Sequence, residues 1–303
     1  MRIAITGATG FVGHAVLEEA LAKGHRVSAL TRREQRPRER IAWVRGTLDD
    51  TDTLTALVEG AEAVIHVAGL TNTRNVERFD AANVEGTANM LAAAREGGVS
   101  RFVFVSSLSA REPDLSAYGA SKARAEALVR ESRLDWTIVR PPGVYGPGDR
   151  DYLELFKAAK LGVVPVPPKG RSSLIHVEDL ARLLVALAAP NALARGATYE
   201  PWDDNAFGYE HRELARMIGE AVGNPGAVAA PLPAPVMKLG AQLDGLLRGN
   251  KAKLTQDRVG YMLHEDWVCD PRKAPPRSLW HAVWDGEAGL AMTAEWYKAE
   301  GWL

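Results

Sequence analysis

Gly7-Ala8-Thr9-Gly10-Phe11-Val12-Gly13 decides how this chain is read. It follows Arg2-Ile3-Ala4-Ile5-Thr6, a short apolar run with strand character, and opens residues 11–23, where apolar positions recur at helical spacing. Glycines in a strand-to-helix turn permit a tight bend and let the backbone approach a pyrophosphate. The helix N-terminus adds unpaired N–H groups and a partial positive charge. The spacing here is G-x-x-G-x-x-G, not the commoner G-x-G-x-x-G, and a plain glycine turn is the bland alternative. At the very start of a strand–helix alternation, the context favours a dinucleotide site built from Gly7, Thr9, Gly10, Phe11, Val12 and Gly13.

Beyond this loop the alternation continues. Strand-like runs fall at 26–30, 42–45, 63–67, 101–105 and 135–140, and helical patterns at 52–58, 79–96 and 118–132. Strands alternating with helices predict an α/β fold, a doubly wound parallel sheet of the Rossmann type covered on both faces. Ala63-Val64-Ile65-His66-Val67 has the continuous apolar texture of a strand buried on both sides. After Arg140 the texture changes. Pro141-Pro142-Gly143 and Tyr145-Gly146-Pro147-Gly148 punctuate loops, with late strands expected at 174–177 and 198–199 and helices at 178–187 and 210–222. The division expected is a dinucleotide-binding domain over 1–145 and a smaller, mostly helical substrate region over 146–303, some segments of which return to the first domain.

Composition narrows the class. The chain has 303 residues, 46% hydrophobic and 25% charged, enough to bury a substantial core. A formal net charge of −1 gives no global field for nucleic acid or an anionic membrane. A single cysteine, Cys269, excludes an intramolecular disulfide, and the seven histidines show no metal-ligand spacing, so no metal is expected. No signal-peptide pattern opens the sequence, and no apolar run is long enough to span a bilayer. A cytoplasmic protein without a transmembrane segment is the expectation. The 235–247 stretch carries an apolar face (Val236, Leu239, Leu243, Leu246) that reads as packing on its own domain, with a lid or a peripheral membrane contact as alternatives.

Two further features carry chemistry. The second strand ends in Leu30-Thr31-Arg32-Arg33, with no acid at the corner where an Asp or Glu would bind the adenosine ribose 2′-hydroxyl. Guanidinium groups there suit a 2′-phosphate, so NADP(H) is preferred over NAD(H), with Arg32 ahead of Arg33. Tyr118 and Lys122 lie four apart on a helix, hence on one face. A lysine cation beside a phenol favours the phenolate, which makes the tyrosine a usable proton donor and acceptor.

The ordered set of motifs resembles the short-chain dehydrogenase/reductase superfamily, in its extended branch of NAD(P)-dependent epimerases, dehydratases and reductases. The motifs are the glycine loop, His66-Val67-Ala68-Gly69, Asn83-Val84-Glu85-Gly86-Thr87, Phe104-Val105-Ser106-Ser107, and the Tyr118/Lys122 pair. Then follow Arg140-Pro141-Pro142-Gly143-Val144-Tyr145-Gly146-Pro147-Gly148, Ile175-His176-Val177-Glu178-Asp179-Leu180 and the closing Trp296-Tyr297 … Gly301-Trp302-Leu303. The resemblance implies that Tyr118 is the general acid/base, that Lys122 binds the nicotinamide ribose, and that Ser107, in preference to Ser106, orients the substrate oxygen. It also implies that Leu48 and Asp49 lie by the adenine, that Val67, Ala68 and Gly69 line the cofactor cleft, and that Pro141 and Val144 border the nicotinamide. Asn83 is expected to tie helix to sheet, and His176 to be a packing residue near the cleft.

The chain departs from that branch at Gly46-Thr47-Leu48, where relatives often have Gly-Asp-Leu. The short interval from Ser107 to Tyr118 and the scattered basic residues of the second half leave little to hold a nucleotide-sugar. The region resembles reductases near hydroxysteroid dehydrogenases, dihydroflavonol reductases and bacterial ceramide reductase. A ketone reductase for a small hydrophobic molecule, such as a 3-oxo-ceramide, a steroid or a flavonoid, is the leading expectation. A nucleotide-sugar epimerase/dehydratase and a non-catalytic NADP(H)-binding sensor or assembly subunit are the rivals. By the same resemblance, the alanine-rich 79–96 and 118–132 helices suit a homodimer interface.

Overall fold

Period-two alternation along each central strand sends its side chains to opposite faces, and two separate apolar layers result. Ile3 and Ile5 face one layer while Ala4 faces the other; Val103 and Val105 part in the same way from Phe102 and Phe104. The computed structural model describes residues 1–303, Lys251 in its backbone alone. In chain order the first half runs β1 (Arg2–Thr6), α1 (Phe11–Ala22), β2 (Arg26–Thr31), β3 (Ile41–Arg45), α2 (Thr51–Val58), β4 (Ala63–His66), α3 (Glu77–Phe79), α4 (Gly86–Glu96), β5 (Arg101–Val105), α5 (Ala117–Glu131) and β6 (Asp135–Val139). The second half runs β7 (Gly143–Tyr145), α6 (Tyr152–Lys160), β8 (Val163–Val166), β9 (Arg171–Ser172), β10 (Leu174–His176), α7 (Val177–Ala188), β11 (Ala197–Tyr199), β12 (Tyr209–Glu210), α8 (His211–Val222), β13 (Val228–Pro231), α9 (Ala234–Arg248), α10 (Gln256–Met262), β14 (Asp266–Trp267) and α11 (Gly286–Ala299).

The seven-stranded sheet has the order β3-β2-β1-β4-β5-β6-β11, and every pairing in it is parallel. This is a Rossmann-type doubly wound sheet. Strand order reverses between β1 and β4, so a crevice opens beyond their C-terminal ends. One face is covered by α1 and α7, with Val16, Leu17, Leu180 and Leu184 in its core. The other is covered by α2, α4 and α5, with Leu54, Leu57, Met90 and Ala125 packed on Val64 and Phe102. A third core joins α6, α8 and α11 through Phe156, Ile218, Leu290 and Tyr297.

Two segments from the second half return to the sheet: α7 packs against α1, and β11 hydrogen-bonds along β6. The stretch expected as one helix over 79–96 is helical throughout, with Asp80–Glu85 winding as a wider π-type turn before α4. Asn83 is buried in that turn. On α9, Met237 and Ala241 are buried against α10 and Gly245 against Arg74, while Val236, Leu239, Leu243, Leu246 and Leu247 are exposed. The expected packing of 235–247 on its own domain therefore applies to one side of the helix, and the leucine face points outward. Among the described residues, no helix is long and apolar enough to cross a membrane.

Candidate active site

The residues singled out in the sequence converge on the C-terminal edge of the sheet. Gly7 leaves β1 with φ +76°, a left-handed conformation that favours glycine, and a Cβ there would stand 2.8 Å from the Ala68 nitrogen. The turns after β1 and β4 are thus in contact. Thr6 Oγ1 accepts from the Ala68 N–H at 3.1 Å and pairs with His66 Nδ1 at 2.7 Å, which fixes the second turn to the first. Gly13 is required by close approach: a Cβ there would lie 2.0 Å from the Gly7 carbonyl oxygen.

The first helical hydrogen bond of α1 runs from His14 N to Gly10 O at 2.8 Å, so the N–H groups before it have no helical acceptor. No side chain caps this end, and no acid occupies its first turn. A cradle that side chains would fill and a helix end without a resident anion are what a dinucleotide pyrophosphate fits. Val12, Val67 and Val144 are partly buried against the same core layer, along the floor of the crevice. Val144 sits in β7, and the Pro141 carbonyl accepts from Leu108 N at 3.0 Å, so the loop after β6 touches the segment after β5.

At the β2 end, Arg32 and Arg33 are exposed. Of the other arginines nearby, Arg38 donates to Glu18 at 2.7 Å and Arg40 to the Leu21 carbonyl at 3.0 Å. Leu48 and Asp49 follow β3. Asn89 of α4 holds the Leu48 carbonyl at 2.9 Å, so the Thr47 departure leaves this turn anchored, with Asp49 exposed beside it.

Ser107, Tyr118 and Lys122 are brought together where β5 meets the start of α5. Ser116 caps α5 by accepting from Gly119 N at 3.0 Å. The two neighbouring serines divide. The Ser106 hydroxyl donates to Glu126 Oε1 at 2.6 Å, inside the core, whereas Ser107 lies next to the Tyr118 phenol. Burial pushes the Tyr118 phenol up to about 12; Ser107 pulls it down, Tyr261 raises it further, and Arg258 lowers it. Lys122 donates to the Val105 carbonyl at 2.7 Å and lies 4.7 Å over the Phe104 ring. Burial pushes its ammonium down to about 8, opposed by Glu126.

The helical spacing therefore places both groups on one face, but the direct lysine–phenol pairing expected from it is absent here. Desolvation drives each of them toward its neutral form, and the lysine takes a backbone acceptor. The phenol is protonated at neutral pH, the state from which a hydroxyl donates a proton.

A buried network supports this corner. Glu126 receives Arg140 through both oxygens, at 2.7 and 2.6 Å, and Arg130 at 2.7 Å. Burial works against the Glu126 charge, but Arg140, Ser106 and Arg130 outweigh it and hold the carboxyl below its usual range. Arg140 continues to Glu200 at 3.4 Å, and Glu200 to Lys273 at 3.0 Å. Asn83 bridges the turn after β4 to α5, accepting from Leu70 N at 2.7 Å and donating to Leu70 O and Ser121 Oγ, both at 2.9 Å. His176 is buried, its Nδ1 accepting from Glu178 N at 3.4 Å and its ring against Tyr145 and Trp284. Burial pushes its pKa down to about 4, as for a neutral packing residue.

No motif in the sequence pointed to α10. Asp257 accepts from Ala117 N at 2.6 Å and Tyr118 N at 3.3 Å, binding the first turn of α5. Tyr261 packs on Tyr118 with ring centroids 6.2 Å apart, Phe79 lies tilted against it at 5.8 Å, and Trp267 lies beyond Tyr261 at 6.4 Å. Arg111 grips the same segment through the carbonyls of Asp266 and, at 2.7 Å, Val268. The result is an aromatic wall beside the phenol. Replacing Asp257 with alanine should cost about 0.5–2 kcal/mol, the usual range for a lost N-terminal acceptor. Urea unfolding reads this, and an unchanged midpoint would refute the anchoring role.

A family model described as NAD(P)H-binding matches residues 7–190. A relative from Caulobacter vibrioides named ceramide reductase is 37% identical over 99% of this chain and 96% of its own length. A Stigmatella aurantiaca protein, named as the ketoreductase of a farnesylated 3-oxo-dihydroquinoline oxide, is 28% identical over 91% of this chain and 97% of its own. Among solved structures, a dTDP-glucose 4,6-dehydratase from Streptomyces venezuelae with NAD bound superposes with a TM-score of 0.76. It covers 100% of this chain and 98% of its own at 23% identity, a likeness of fold.

Proposed function

The chain belongs to the NAD(P)H-binding extended short-chain dehydrogenase/reductase family, and we propose that it is an NADP(H)-dependent reductase of a hydrophobic ketone, a 3-oxo-ceramide being the leading candidate. The observation that carries this reading is the packing of Phe79 and Tyr261 on a protonated, buried Tyr118, with Trp267 beyond Tyr261. A site walled by aromatic rings suits an apolar substrate. The near full-length similarity to a protein named ceramide reductase supports the substrate class.

The cofactor supplies hydride to the carbonyl carbon. In the proposed mechanism the chain supplies the rest. Tyr118 donates its phenolic proton to the carbonyl oxygen, and Ser107 orients that oxygen by hydrogen bonding. Lys122, beside the crevice, exchanges its Val105 carbonyl for a ribose hydroxyl. Gly7 through Gly13 receive the pyrophosphate, with Val67, Ala68, Gly69, Pro141 and Val144 along the rest of the cleft. Leu48 and Asp49 border the adenine. Water is kept from the phenol by Phe79 and Tyr261. The helices α4 and α5 are the proposed surface for a homodimer.

Incubation with NADPH and a panel of 3-oxo-ceramide, steroid and flavonoid ketones tests the substrate. Turnover of none of them, together with thermal stabilisation by a uridine or thymidine diphosphate sugar, would overturn the reading in favour of an epimerase or dehydratase. NADPH binding without turnover of any carbonyl would point to a non-catalytic sensor. Cofactor preference has its own test. Arg32→Ala removes a charged hydrogen-bond donor, worth about 1.5–3 kcal/mol, so KM for NADPH should rise roughly 10- to 100-fold with KM for NADH unmoved. Equal or faster parent turnover with NADH would reject the 2′-phosphate assignment.

A further inference from the structure

We propose that the outer face of α9 is a docking surface for an anionic lipid bilayer. Val236, Leu239, Leu243, Leu246 and Leu247 fall on one side of this 15-residue helix, with Leu246 at 80% and Leu247 at 84% exposure. The opposite side already attaches the helix to the protein through Met237 and Ala241, packed with Val259. The outer stripe is therefore not needed to hold α9 in place. A contiguous aliphatic patch of this kind marks a contact surface.

Charge selects the occupant. The only carboxylate on α9, Asp244, is drawn inward, accepting from Lys253 N at 2.7 Å and Leu254 N at 2.9 Å. Lys238 is exposed beside the leucines, and Arg248, also exposed, ends the helix with its guanidinium paired to Asp244 at 3.2 Å. An apolar stripe with the Lys238 ammonium beside it and its one acid turned inward and paired matches the headgroup boundary of an anionic membrane. At 15 residues α9 is too short to cross a bilayer and long enough to lie on one. The helix rests on α10, whose Tyr261 touches Tyr118, so docking would put the candidate site next to the lipid phase. This goes beyond the reductase reading and stands without it.

Flotation of the full chain with phosphatidylcholine vesicles, with and without phosphatidylglycerol, tests the proposal. The parent protein should float with the phosphatidylglycerol vesicles, and less so as salt is raised. The double variant L246S/L247S should partition roughly tenfold less or weaker still, with an unchanged melting temperature. Lys238→Glu should weaken binding to the anionic vesicles alone. A parent that floats with neither vesicle, or a double variant that floats as well as the parent, overturns the proposal. Equal partitioning onto both vesicle types removes the anionic selection. A concentration-dependent dimer abolished by L246S/L247S would assign the stripe to a second copy instead.

Discussion

Replacing Tyr118 with phenylalanine is expected to lower turnover by roughly 10²–10⁴-fold, the usual contribution of a positioned acid or base. Only one oxygen is lost. The ring keeps its contacts with Phe79 and Tyr261, and the hydroxyl is not an anchor of the fold, so the melting temperature should barely move. Cofactor affinity should also survive, because the glycine loop and the turn after β4 are untouched. Steady-state rates, a cofactor titration and a melt on the same preparation separate these effects. Full activity would dismiss Tyr118 as the proton donor, and lost cofactor binding would mean that the phenol is part of the cofactor site.

The second large effect is expected at Gly13. An alanine Cβ would sit 2.0 Å from the Gly7 oxygen and 2.5 Å from the Gly7 carbonyl carbon, both backbone atoms that no rotamer change can move aside. Either α1 slides outward or the turn after β1 opens. Overpacking of this kind costs about 1–3 kcal/mol. A displacement on the order of 1 Å of the binding groups can cost about 100-fold in function. Gly13→Ala should therefore weaken NADPH binding roughly 100-fold while the protein remains folded, as read by fluorescence titration alongside circular dichroism. Parent-like affinity would show that α1 does not hold the pyrophosphate.

The two sites differ in how far the sequence exposed them. The strand–loop–helix at Gly7–Gly13 is local, so its glycine spacing and its strand predict the cradle without any distant contact. The order of the sheet and the meeting of Ser107 with Tyr118 follow from alternating strands and helices, whose parallel connections leave few topologies. The Ser106–Glu126–Arg140 network was only half legible. Glu126 continues the four-residue spacing of Tyr118 and Lys122, but its burial depends on the neighbouring strand.

Asp257, Arg258 and Tyr261 gave no signal. They reach Tyr118 from about 140 positions away, through a segment whose local pattern is an ordinary short helix. The protonation of Tyr118 and Lys122 was equally hidden. Spacing fixes which face two side chains share, whereas their charge state depends on how much water the whole fold leaves around them.

The grip of Arg111 and Asp257 on the wall segment has a consequence for how the protein can change. Arg111 holds carbonyl oxygens of residues 266 and 268, and Asp257 holds amide hydrogens of residues 117 and 118. Each of these anchors meets main chain at its far end, which is present whatever side chain is carried there. Tyr261, between them, can then be exchanged for other shapes while the segment keeps its station over the phenol; Trp267 is itself an anchor, its indole N–H donating to the Tyr261 carbonyl at 2.8 Å. Selectivity can drift in evolution, or be retargeted in the laboratory, without dismantling the reaction centre it serves.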